Sequence, residues 1–168
     1  FMYEESLRMP FIIRYPRAIQ AGSVNDDIIT NVDFAPTFLH YAEIEIPGEF
    51  QGRSFDPLLE GTTPDDWPQS MYYRYWMHLA HHHVYAHYGI RTRRYKLIYY
   101  YADALGQPGA IDEKKPPEWK LFDLEQDPRE LNNVYHHPDY ADTADNLRRE
   151  LGSWQECVRD EPYPAEAP

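Results

Sequence analysis

The stretch Tyr88-Gly89-Ile90-Arg91-Thr92-Arg93-Arg94-Tyr95-Lys96-Leu97-Ile98-Tyr99-Tyr100-Tyr101 decides the fold. Two runs rich in aromatic and aliphatic residues flank the polar pair Arg93-Arg94, the pattern of an antiparallel hairpin. Successive side chains of a strand point to opposite faces, so Arg91 cannot share the face of Ile90, and Tyr99-Tyr100-Tyr101 must load both faces. Working outward, Met71 to Trp76 is aromatic and strand-like, and Glu118 to Leu124 reads as a fourth strand stopped by Asp127-Pro128. The intervening segment from Ala102 to Pro117 is rich in Gly, Pro and charge and is predicted to be a mobile loop. Pro138 falls where the first residue of a helix would sit. Tyr140, Ala144, Leu147, Leu151, Trp154 and Val158 follow at steps of three and four, an amphipathic helix. The result is α+β: a small antiparallel sheet of about four strands, one face covered by a C-terminal helix.

The first third of the chain has a different pattern. Phe11 to Pro16 is a short apolar run ended by proline and reads as a buried strand. Asp33 is a good helix N-cap, and Pro36 is tolerable because it falls in the first turn of the helix that follows. Phe34, Phe38 and Tyr41 fall on one face of that helix. From Pro47 to Pro68 the chain is dense in Gly, Pro and Asp, with Leu58-Leu59 as an apolar anchor, and reads as an ordered connection. The expected organisation is therefore 1–66 as the end of another structural unit plus its connection, 67–160 as the sheet and helix, and 161–168 as a solvated tail. Four strands and one helix bury one sheet face, so Phe11 to Ala42 needs a separate surface.

At 168 residues, with 42% hydrophobic and 15% aromatic residues, the chain is long enough for a modest core. A net charge of −12 repels polyanions, which argues against nucleic acid and anionic membranes as partners. No stretch reaches the roughly 20 apolar residues that span a bilayer. Cys157 is the single cysteine, so an internal disulfide is excluded; it reads as a semi-buried structural thiol. Opening on Phe1-Met2, amid ordered-looking sequence, the chain is expected to be a piece of a longer polypeptide. Its compartment is not set by the sequence.

Several motifs in series resemble type I sulfatases of the alkaline-phosphatase superfamily. They are Tyr3-Glu4-Glu5-Ser6-Leu7-Arg8-Met9-Pro10 running on to Pro16, Asn31-Val32-Asp33-Phe34-Ala35-Pro36-Thr37, and Gln51-Gly52-Arg53-Ser54 with Pro57-Leu58-Leu59. Tyr88 to Thr92, Tyr95 to Ile98, Leu121 to Leu124 and Asp127 to Asn133 continue the series in the family's order. The resemblance covers about residues 1 to 155. It implies that the sheet and helix form the family's C-terminal subdomain and that the first 66 residues end its large α/β domain. It also implies a parent hydrolysing sulfate esters through formylglycine and calcium, both expected in a missing N-terminal domain that would be this chain's main partner. Such a parent would be periplasmic or secreted. No Cys/Ser-x-Pro-x-Arg motif is present, since Cys157 is followed by Val158-Arg159, and the pairs Asp26-Asp27 and Asp65-Asp66 read as solvated loop charges. The 168 residues alone are therefore expected to be catalytically inactive, with no catalytic and no metal residues of their own.

Met77 to His87 holds five of the eight histidines within ten positions. Three readings stand side by side. His83 and His87 would share a helix face and suit zinc or copper, but no Cys or acidic residue completes a shell. Imidazoles hydrogen-bond hydroxyls and sulfate oxygens, and the resemblance, closest to glycosaminoglycan-degrading sulfatases, places the corresponding loop at the substrate cleft. His82, His83 and His87, with Arg91 as an oxyanion fork, are then candidate contacts to a sulfated carbohydrate. A solvated loop in plain hydrogen bonds is the third reading. Arg93 and Arg94 are read as a solvated hairpin, and Glu4-Glu5 as ion-paired with Arg8. A free-standing sugar-binding or interaction module and a related phosphodiester or phosphonate hydrolase are the alternatives. Cut from its neighbours, the Phe11 strand would leave an open edge, so self-association of the chain is expected.

Overall fold

The computed structural model describes residues 1–164. The chain divides into two compact units, one formed by Pro10–Gln69 and the other by Phe1–Met9 together with the chain from Ser70 onward.

In the second of these, four strands, β1 (Ser70–Tyr75), β2 (His87–Thr92), β3 (Tyr95–Tyr100) and β4 (Glu118–Asp123), pair antiparallel in chain order. Ile90 lies opposite Leu97, and Leu97 opposite Leu121, so one apolar row crosses β2, β3 and β4. With Tyr88, Tyr99 and Tyr101 this face packs under α4 (Ala141–Val158), which buries Ala144, Leu147 and Leu151 against it. Pro138 opens the 3-10 turn Pro138–Tyr140 that leads into α4, as its fixed φ favours. The predicted strands and helix therefore form within a residue or so of the expected bounds.

The tail differs from expectation. Tyr163 is buried, stacked on Tyr101 at 5.4 Å, and its hydroxyl donates to Asp103 at 2.9 Å. Arg74 donates to the Asp160 carboxylate at 2.5 Å, which pins the chain leaving α4. An aromatic ring and an ion pair thus override the Pro-rich composition as far as Tyr163; residues 165–168 lie outside the described residues. Cys157, expected semi-buried, is exposed, because the side of α4 turned to the sheet carries Ala144, Leu147, Leu151 and Trp154.

The opposite sheet face is covered too, by the chain's own start. Met2 is fully buried with Ile98, Tyr100 and Phe122, and α1 (Glu4–Leu7) follows on this face. Glu4 is ion-paired, though with Arg91 and Lys96 rather than with Arg8.

The unit Pro10–Gln69 contains the 3-10 turn Asn31–Asp33, α2 (Phe34–Tyr41) and α3 (Asp56–Leu59) around Phe55, Leu58 and Trp67. The expected strand at Phe11 to Tyr15 is irregular. A strand needs a partner for its backbone groups. Here Phe11 instead sets its ring edge-on to Phe34 and Phe55, and Ile12 is 93% exposed. The buried face of α2 is Pro36 and Thr37, whereas Phe38 is 60% exposed. Polar chemistry explains this choice. The Thr37 hydroxyl donates to the Asp33 carbonyl at 2.8 Å and accepts the Phe55 N–H at 3.0 Å. The Asp33 carboxylate accepts the N–H groups of Thr30 and Arg53, and a Cβ at Gly52 would stand 2.1 Å from the Val32 carbonyl oxygen. Two sequence motifs, around Asp33 and around Gly52, are thus the two halves of one hydrogen-bonded joint.

Candidate functional site

Tyr75, His87, Tyr100 and Glu118 lie in one row across the sheet. They end β1 and β3 and begin β2 and β4, so both long loops, 76–86 and 101–117, leave from the same end. One residue ties them together. His78 is fully buried and accepts the Ala86 N–H on Nδ1 at 3.1 Å, which leaves Nε2–H to donate to the Glu113 carbonyl at 3.0 Å. The Ile111 N–H returns to the His78 carbonyl at 2.9 Å, and Lys115 N–H reaches Ala102 O at 3.0 Å. The loop expected to be mobile is therefore fastened at its middle and at its end. Sequence reading missed His78, whose signal was its place beside the strand end, short of the exposed run.

That run is displayed on a turn closed by Leu79 N–H to Val84 O at 2.8 Å and His83 N–H to Ala80 O at 3.0 Å. His81, His82 and His83 are exposed there, and His83 adopts φ +50°. Trp76 and Tyr85, 38% and 39% exposed, show their rings on the same loop. The loop thus offers imidazole donors and acceptors beside aromatic surface.

His87 lies beneath this end rather than on it. It is fully buried, with its ring stacked between Tyr73 at 5.9 Å and Tyr75 at 5.5 Å and tilted against Tyr100 at 4.9 Å. Nδ1–H donates to the Tyr85 carbonyl at 2.7 Å, which fixes the neutral tautomer, and Nε2 meets no partner among the described residues. Burial pushes its pKa down to about 4, against the pull of that carbonyl. Arg91 shares this sheet face but is engaged: its Nε and NH2 donate to Glu4 at 3.2 and 2.8 Å. Of the four candidates, then, His82 and His83 stand together on the open loop, while His87 and Arg91 lie on the covered face.

The i, i+4 helix that the metal reading required does not form, because His83 sits in a loop and His87 in β2. Among the described residues no three His, Cys, Asp or Glu side chains gather into a metal-sized group. The Asp27 carboxylate accepts the Thr63 hydroxyl at 2.5 Å and Asp66 faces Arg53 at 3.3 Å, so these acids do not form a calcium cage. Arg94, expected to be solvated, makes a forked contact to Asp123 at 3.1 and 2.8 Å. No described helix is long and apolar enough to cross a membrane.

Sheet, helix and linked loops define a small α+β module that presents a histidine-rich, aromatic edge from one end. Comparison with known proteins gives the family. The chain belongs to the family described as N-sulphoglucosamine sulphohydrolase, C-terminal, which matches residues 1–157. It is 47% identical over 162 residues to an N-acetylglucosamine-6-O-sulfatase of Bacteroides thetaiotaomicron, covering 95% of this chain and 27% of that protein. An ulvan-active sulfatase of Formosa agariphila is 29% identical over 92% of this chain and 34% of its own length. A solved structure of a protein in complex with its substrate, D-glucosamine-2-N,6-O-disulfate, superimposes with a TM-score of 0.86 at 45% identity, over 100% of this chain and 32% of that one. The chain thus spans about a third or less of the relatives it matches.

Proposed function

We propose that this chain builds one wall of the substrate pocket of a carbohydrate sulfatase, with the sulfated sugar meeting the loop held by His78. The observation that carries the reading is the exposed turn His81–His83 between Trp76 and Tyr85, on a chain 47% identical to an N-acetylglucosamine-6-O-sulfatase. His82 and His83 are the direct contacts, hydrogen-bonding hydroxyl or sulfate oxygens. His87 and Arg91 support the pocket from beneath, one through the Tyr73–Tyr75 stack and the other through Glu4. Formylglycine and calcium belong, in this reading, to polypeptide outside the 168 residues, and no step of the sulfate chemistry is assigned to residues present here.

The same reading gives the unit Pro10–Gln69 an occupant for its apolar surface. Ile12, Val24, Phe38 and Ile44 are 93, 86, 60 and 57% exposed within it. Preceding polypeptide of the kind the longer relatives possess would cover them, and without it the surface favours contact between copies.

The test is sulfate release from 6-O-sulfated glucosamine by the protein extended to the length of its relatives. The expected result is turnover whose KM rises about tenfold or more in His82→Ala/His83→Ala, for loss of hydrogen bonds to a charged ligand. Turnover of phosphonate monoesters with none of sulfated sugars would replace this reading, as would kinetics indifferent to both histidines.

A further inference from the structure

The first residues of the chain are recognised by the sheet much as a bound peptide would be. On the face opposite α4, Lys96 is fully buried and its Nζ lies 2.6 Å from Glu130 Oε1 and 2.9 Å from Glu4 Oε1. Glu4 also takes the fork of Arg91, and the Glu4 backbone N–H donates to Glu130 Oε2 at 2.7 Å. Two cations therefore face two carboxylates, and one of those carboxylates arrives on the N-terminal segment. Two residues earlier, Met2 fills a slot that exists because position 89 is glycine. A Cβ there would stand 2.8 Å from Met2 Sδ and 2.3 Å from the Leu97 carbonyl oxygen. Glu130 reaches the cluster from a residue at φ +55°, in a turn closed by Asn132 N–H to Asp127 at 2.7 Å. The socket is thus built by three separate stretches of the unit, and the segment that fills it is the one whose sequence neighbours from Pro10 onward pack elsewhere.

We propose that Arg91, Lys96 and Glu130, with the slot over Gly89, form a peptide-reading socket. It holds Met2 to Leu7 as a strap by its apolar residue, its backbone N–H and the carboxylate two positions on. Without the strap, two cations share one buried carboxylate, so the socket demands an acidic occupant. The strap, which also packs Tyr3 and Leu7 on the Ile98, Tyr100 and Phe122 cluster, opens and closes without unfolding the sheet, because no strand pairs with it. In a longer polypeptide of the matched kind, the socket sets where the preceding chain meets the sheet.

Native-state hydrogen exchange on the full chain tests this. The amides of Ser6, Leu7 and Arg8, bonded to Tyr3 and Glu4 carbonyls, report the strap, and those of β2 and β3 report the sheet. Glu4→Gln and Arg91→Gln, each removing one side of the fork, should each speed strap exchange by about tenfold or more, with sheet amides within about twofold. The double variant should add little to the larger single effect, since both remove one interaction. Wild-type strap exchange in both variants would overturn the proposal, and so would joint loss of strap and sheet protection.

Discussion

His87 gives this chain a pH signature that can be assigned to one ring. Buried, it is pushed from its usual 6.5 to about 4, so the unfolded chain takes up its proton well before the folded one does. Stability is then lost as pH falls from about 6.5 towards 4, by about 3 kcal/mol in all. Urea midpoints between pH 7.5 and 4.5 should show this loss in the native protein and little of it in His87→Phe. Glu4 acts in a separate window. Burial alone would raise its pKa, but the hydrogen bonds and charges of Arg91 and Lys96 outweigh that and hold it at about 2, against an ordinary value near 4.5. Its contribution is present above pH 4.5 and is lost between there and 2. Lys96→Met should cost about 3–5 kcal/mol by urea unfolding, because it leaves the Glu130 carboxyl, 1% exposed at its side chain, without its ion-pair partner.

At the scale of elements, the joints are small polar groups. His78→Ala leaves the Ala86 N–H and the Glu113 carbonyl without their partner, and should cost about 1–3 kcal/mol. Hydrogen exchange at Ala86 and Ile111 should quicken with it. Thr37→Val keeps the side-chain shape but strands the Phe55 N–H, so the unit Pro10–Gln69 should lose about 1–3 kcal/mol while β2 and β3 retain their protection. These joints also mark what was legible in the sequence. The four strands and α4 could be read because period two and period 3.6 are local signals that tertiary packing here reinforces. Phe11 to Tyr15 was misread because an apolar run does not reveal whether a pairing strand exists. Tyr163 was missed because composition carries no information about the ring of Tyr101. The second sheet face was legible in part. Alternation puts Lys96 opposite in facing to Leu97, and hairpin register sets it beside Arg91, a charge pair on a face that some acid had to answer. That Glu4 and Glu130 answer it, from 92 and 34 residues away in sequence, is decided by tertiary structure alone.

At the scale of the molecule, the role proposed for this chain is recognition, with reaction left to polypeptide beyond it. The exposed side chains of Ile12, Val24, Phe38 and Ile44 lead to a physical expectation for the 168 residues by themselves. Sedimentation velocity should show concentration-dependent association, and Ile12→Lys/Val24→Lys should weaken it. A strictly monomeric chain at all concentrations would remove that expectation without touching the pocket. The loop edge held by His78 and the face that seats Met2 to Leu7 belong to one sheet.

The most direct measurement is sulfate release from sulfated glucosamine, run in parallel on the 168-residue chain and on the polypeptide extended N-terminally to the length of its relatives. The account predicts release by the extended protein alone. Desulfation by the shorter chain, or an extended protein inert towards every sulfated sugar offered, would contradict it.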